Sequence, residues 1–146
     1  MFKRILMVCI GNICRSPTAE ILLRDRLKGR DIEVRSAGIA ALVGGTLEPN
    51  AHKLLAECEQ LALEHKGKQL TPECAQWADL ILVMERKHVS DVLAIAPEAR
   101  GKVFLLGKWQ DDREIDDPYR RGEPAFKHAK ALIDEAVNAW AQWLAR

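Results

Sequence analysis

The chain has 146 residues, a formal net charge of +1, 48% apolar residues and 29% charged residues. That length suits a single domain over residues 1–146 with a full hydrophobic core, and the near-neutral charge excludes nucleic-acid binding driven by bulk charge. No apolar run is long enough to span a bilayer and the N-terminus lacks a signal-peptide pattern, so a cytoplasmic protein without membrane insertion is expected.

Arg4 to Cys9 is mostly apolar and reads as a buried strand. A five-residue loop follows, Ile10-Gly11-Asn12-Ile13-Cys14, and then Arg15, Ser16 and Pro17. Ser16 suits an N-cap and Pro17 a first helical position, which predicts a helix from about Pro17 to Lys28. A second strand is expected at Ile32–Ser36, and a glycine-rich loop over Ala37–Pro49. Asn50–Gln60 reads as helical, with Leu54, Leu55 and Cys58 at helical spacing. Thr71-Pro72-Glu73 opens a short helix. Leu80–Met84 is a continuous apolar strand, Glu85–Ala96 a helix stopped by Pro97, and Val103–Leu106 a fourth strand. The last helix, about Pro124–Leu144, carries Phe126, Ala129, Ile133, Ala136, Val137, Trp140 and Leu144 on one face. This alternation predicts an α/β fold, a four-stranded parallel sheet with helices on both faces. Ligands then bind beyond the C-terminal strand ends, where the loop after strand one lies.

That loop has the makings of an anion site. Its backbone N–H groups and the helix N-terminus converge, and Arg15 adds a planar fork suited to phosphate oxygens. Gly11 and Asn12 tolerate the positive φ that a tight cradle needs. Cys9 stands at the floor, where the same positive field favours a thiolate nucleophile. Cys9, Cys14, Cys58 and Cys74 lack zinc-site spacing, so neither a metal nor another cofactor is expected. Cys58 and Cys74 read as ordinary packed thiols. Cys14 either packs under the loop or closes a reversible disulfide with Cys9.

Val8-Cys-Ile-Gly-Asn-Ile-Cys-Arg-Ser-Pro-Thr-Ala-Glu20 resembles the signature of the low-molecular-weight protein tyrosine phosphatases. The likeness continues through Ser36-Ala37-Gly38, Asp79–Glu85 and Asp116-Asp117-Pro118-Tyr119. It implies a metal-independent phosphotyrosine hydrolase working through a phosphocysteine, with Ile10 to Arg15 binding phosphate. Cys9 is then the nucleophile, Arg15 the phosphate ligand and Asp117 the general acid. Asp116 is the competing acid, but the family places the acid directly before proline. Asn12 would hold the loop, and Ser16 would hydrogen-bond the Cys9 sulfur as well as cap the helix. Ile13, Leu42 and Tyr119 would line the substrate pocket, although a packed core tyrosine is the other reading of Tyr119. The resemblance favours a redox role for Cys14.

His65-Lys-Gly-Lys-Gln69 resembles a family segment that more often reads His-x-Ala-Arg-Gln. His65 is there either a brace for the loop or a surface histidine beside lysines. Ala41-Leu-Val-Gly44 resembles bacterial members tied to capsule and exopolysaccharide export. The implied partner is the tyrosine-rich cytoplasmic tail of a membrane-bound tyrosine autokinase, met by a monomeric enzyme. Three rivals share features of this reading. An arsenate reductase on the same scaffold needs further cysteines soon after the third strand, and Met84–Ser90 has none. A protein arginine phosphatase carries threonine in the loop, where position 13 is isoleucine. A non-catalytic phosphotyrosine-binding module is expected to lose Cys9, Arg15 or Asp117, and all three are present.

Overall fold

A computed structural model describes residues 2–146. Four strands, β1 (Arg4–Cys9), β2 (Glu33–Gly38), β3 (Leu80–Val83) and β4 (Val103–Leu105), form one sheet in the order β2-β1-β3-β4. All three strand pairs are parallel. The α/β expectation therefore holds. Six α-helices connect and follow the strands: α1 (Arg15–Arg26), α2 (Pro49–Lys53), α3 (Glu59–Glu64), α4 (Pro72–Trp77), α5 (Arg86–Ile95) and α6 (Glu123–Leu144). Among the described residues no helix is long and apolar enough to cross a membrane.

The strand period of two divides the core. Ile5, Met7 and Cys9 of β1 join Leu80 and Leu82 of β3 on the face covered by α1 and α6, whose Phe126, Ile133 and Trp140 fill that layer. Leu6, Val8, Ile81 and Val83 point the other way, onto Ala75 of α4 and Val92 of α5. Each such fully buried aliphatic side chain stabilises the fold by about 1.5–3 kcal/mol. Because β1 is central, β2 leaves on one side and β3 on the other. The chain reverses direction across the sheet at the C-terminal end of β1, where the loop carrying Cys9 opens. Gly38 lets β2 reach that loop, since a Cβ there would collide with the Ile10 carbonyl oxygen.

Two helices correct the sequence reading. Helix α1 begins at Arg15, two residues before the expected Pro17, and ends at Arg26, short of Lys28. Its N-cap is Cys14, with no side-chain cap bond, so Ser16 does not cap the helix. Pro17 is accommodated because first-turn N–H groups have no intrahelical acceptor. The helix expected over Asn50–Gln60 is broken into α2, a 3-10 turn at Ala56–Cys58, and α3. The bonds Leu54 N–H to Ala51 and Leu55 N–H to His52 tighten the chain to a three-residue step. Leu55 and Cys58 are both buried at this turn.

Candidate active site

Cys9 ends β1 with only 3% of its surface exposed. Its Sγ lies 2.9 Å from the Ser16 hydroxyl and accepts the Ser16 N–H at 3.4 Å. The Ser16 backbone N–H thus serves the sulfur, and its hydroxyl lies beside it. Among the described residues, the backbone N–H groups of Ile10 to Cys14 donate to no protein acceptor. Five unpaired donors on a tight loop, followed by the start of α1, make a site that an anion satisfies.

Asn12 shapes the loop. It has φ +57° and is fully buried. Its side-chain amide donates to Ser16 Oγ at 2.8 Å and to Ser36 Oγ at 2.9 Å, while its Oδ1 accepts the Lys68 N–H at 2.9 Å. Ser36 in turn donates to Glu20 Oε1 at 2.6 Å. His65 is buried, and its Nε2 donates to the Asn12 carbonyl at 2.7 Å. Burial lowers the His65 pKa from its ordinary value, against the smaller opposing pull of that hydrogen bond.

Arg15 is 2% exposed and is held from outside the loop. Its Nη1 donates to Glu85 Oε2 at 2.6 Å and to the Ile115 carbonyl at 2.7 Å. Its Nη2 lies 3.7 Å from Asp117 Oδ2. Burial alone would raise the Glu85 pKa, but the Arg15 hydrogen bond and charge outweigh it, and the carboxylate is held below its ordinary range. Asp117 Oδ1 accepts the Tyr119 N–H at 3.1 Å, which folds the acid loop around Pro118. Asp116 has no ion-pair partner among the described residues. It lines a groove of about 410 Å³ with Arg113, Arg121 and His128.

Cys9, Arg15 and Asp117 are thus brought together with the loop Ile10 to Cys14. Leu42 and Tyr119 are exposed, at 53% and 41%. The Leu42 N–H donates to the Gly11 carbonyl, which ties Leu42 to the loop after β1. Cys14 is buried, and burial first, then the neighbouring Cys9 and Asp117, push its thiol pKa far above the ordinary value. Cys58 and Cys74 lie elsewhere, on the 3-10 turn and α4.

Sequence reasoning missed Glu85 and the Ile115 carbonyl as the holders of Arg15, and Ser36 and Glu20 as supports of Asn12. Glu85 left one usable signal. It is an acid one residue past a wholly apolar strand, on the sheet end where α/β proteins bind ligands.

Comparison with known proteins agrees with this geometry. The family described as Low molecular weight phosphotyrosine protein phosphatase matches residues 4–146. The low molecular weight protein-tyrosine-phosphatase Etp of Escherichia coli strain K12 is 47% identical over 146 residues, covering 99% of this chain and 97% of its own. The probable low molecular weight protein-tyrosine-phosphatase AmsI of Erwinia amylovora is 42% identical, with both chains covered in full. The structure of Vibrio vulnificus Wzb in complex with benzylphosphonate superposes with a TM-score of 0.91 at 44% identity, covering 97% of this chain and 99% of that one. A loop suited to an anion over a buried cysteine, on a chain that matches this family along nearly its whole length, places the protein among the low molecular weight protein tyrosine phosphatases.

Proposed function

We propose that the protein hydrolyses phosphotyrosine through a phosphocysteine, with Cys9, Arg15 and Asp117 as its catalytic residues. The observation that supports this best is the run of unpaired N–H groups from Ile10 to Cys14 that directly follows the buried Cys9. The phosphate sits in that loop, with three oxygens on loop N–H groups and Arg15. The Cys9 thiolate attacks phosphorus in line, forming the S–P bond as the P–O bond to the phenol breaks. Ser16, with two donors on the sulfur, stabilises the thiolate. The loop and Arg15 neutralise charge on the equatorial oxygens.

The leaving phenolate has an ordinary pKa of about 10 and takes a proton from Asp117. The resulting carboxylate takes a proton from water, whose oxygen attacks phosphorus and breaks the S–P bond. Inorganic phosphate leaves and Cys9 is restored. Asp117 is preferred over Asp116 because its Oδ2 lies 3.7 Å from Arg15 Nη2, whereas Asp116 has no ion-pair partner among the described residues.

For the substrate, we infer the tyrosine-rich tail of a membrane-bound autokinase in capsule or exopolysaccharide production. The resemblance of Ala41–Gly44 to bacterial members of that kind supports it. So does the open, apolar rim, where Leu42 and Val43 are both exposed and a flexible chain can lie.

The test is p-nitrophenyl phosphate hydrolysis in EDTA under reducing conditions. Wild type turns over, Cys9→Ser is inactive, and Asp117→Asn loses about 10²–10³ in kcat, the size of a general-acid contribution. Absence of wild-type turnover overturns the mechanism. Full activity in Asp117→Asn moves the acid to Asp116.

A further inference from the structure

His88, the third residue of α5, has no solvent exposure. Its Nδ1 accepts the Glu85 N–H at 3.2 Å. A nitrogen that accepts carries no proton, so the neutral ring carries its proton on Nε2. That buried Nε2–H has no hydrogen-bond partner among the described residues. Buried donors are rarely left unpaired, and an exception calls for a reason. Glu85 Oε2 lies 3.5 Å away. The same oxygen already accepts Arg15 Nη1 at 2.6 Å. Two donors therefore converge on one carboxylate oxygen, and only one of them is bonded.

We propose that His88 is a positioning residue for Arg15, its Nε2–H replacing Arg15 on Glu85 when the arginine turns to a bound phosphate. The proposal rests on Arg15 being the phosphate ligand. In the structure described here both terminal nitrogens of Arg15 face protein oxygens, those of Glu85, Ile115 and Asp117. A forked grip on phosphate draws at least one of them away. Without a substitute, Glu85 would be left as a partly buried carboxylate short of a donor, which opposes the move. Lys87 Nζ lies 3.7 Å from the other oxygen, Oε1, and does not serve Oε2. The neutral state of His88 fits this role. Burial and then the Arg15 charge lower its pKa, so the ring offers one fixed N–H rather than a second cation.

The capping and clamping roles of His88 are separable. His88→Asn places an amide oxygen near the Nδ1 position, so it keeps the acceptor for the Glu85 N–H and loses the far donor. His88→Gln reaches the Nε2 position with an N–H. The readout is competitive inhibition of p-nitrophenyl phosphate hydrolysis by orthovanadate. Vanadate affinity falls about five- to tenfold in His88→Asn, the worth of one hydrogen bond, and stays within about twofold in His88→Gln. In a Glu85→Gln background, His88→Asn causes no further loss. Wild-type affinity in His88→Asn, equal losses in both variants, or additive losses with Glu85→Gln overturn the proposal. The wild-type protein gives an independent reading. The His88 side-chain N–H resonance shifts on saturation with vanadate, and an unmoved resonance also overturns it. Failure of the wild type to bind vanadate at all would remove the phosphate-site reading beneath it, an outcome distinct from the others.

Discussion

Asn12 shows how much one residue contributes to the cradle. Its backbone is left-handed, and its side chain bonds to β2, to α1 and to the segment after α3 at once. Asn12→Ala removes three buried side-chain hydrogen bonds at about 1 kcal/mol each and adds about 1 kcal/mol of left-handed strain. Urea denaturation is expected to show a loss near 4 kcal/mol. Asn12→Gly loses the same bonds without the strain and recovers about 1 kcal/mol of it. Equal losses in the two variants would mean that φ +57° carries no cost at this position. Cys14 supports a second prediction at this scale. Its thiol is held protonated by burial and by nearby negative charge, so Cys9 is the sulfur that peroxide oxidises first. We propose that the Cys9 sulfenic acid then condenses with the Cys14 thiol, releasing water and forming a disulfide. Wild type treated with peroxide regains activity with dithiothreitol, and Cys14→Ser does not. Equal recovery would leave Cys14 as packing alone.

At the scale of elements, the rim of the pocket depends on a pairing between two loops. The Gly44 N–H donates to the Gly67 carbonyl at 2.9 Å, and the Gly67 N–H donates to the Gly45 carbonyl at 2.8 Å. A Cβ at Gly67 would collide with the Leu42 carbonyl oxygen. Gly67→Ala therefore displaces the Leu42 rim while leaving the anion site in place. We expect KM for aryl phosphates to rise about tenfold, the size of a lost apolar contact, with vanadate affinity held within about twofold. A matching loss of vanadate affinity would show that the strain travels through Lys68 to Asn12 instead. Strands β1, β3 and β4 were legible because their apolar runs are nearly continuous, and the phosphate loop because its chemistry is local in the chain. The break after α2 was not, because Leu54, Leu55 and Cys58 keep a helical spacing and no glycine or proline between them marks the three-residue turn. The Arg15–Glu85 pair was hidden for a different reason. Its members are 70 residues apart, and they meet only because β3 pairs with β1.

For the whole molecule, burial at the sheet end ties stability to pH through groups that also serve the site. His65 and His88 both have pKa values lowered from an ordinary 6.5, in each case chiefly by burial. As pH falls through 6.5, the unfolded chain takes up two protons that the folded one refuses. Stability therefore rises with pH in this window and is lost on acidification, until the folded-state values are reached. Each histidine contributes a slope of at most about 1.4 kcal/mol per pH unit. The acids add a second, lower window. Glu85 is held below its ordinary 4.5 by Arg15 despite burial, and Asp79 below 3.8 first by the Lys3 N–H. Their ionised forms support the fold, so that support is lost as pH falls from those ordinary values toward the folded ones. Urea midpoints measured from pH 8 to pH 3.5 should be flat above about pH 7, fall to a first shoulder, and fall again below about pH 4.5. His88→Asn should roughly halve the first slope and leave the second in place. A wild-type midpoint unchanged between pH 7.5 and pH 5 would mean that folding opposes proton uptake at neither ring, which the burial of both and the His88 Nδ1 that accepts the Glu85 N–H do not allow.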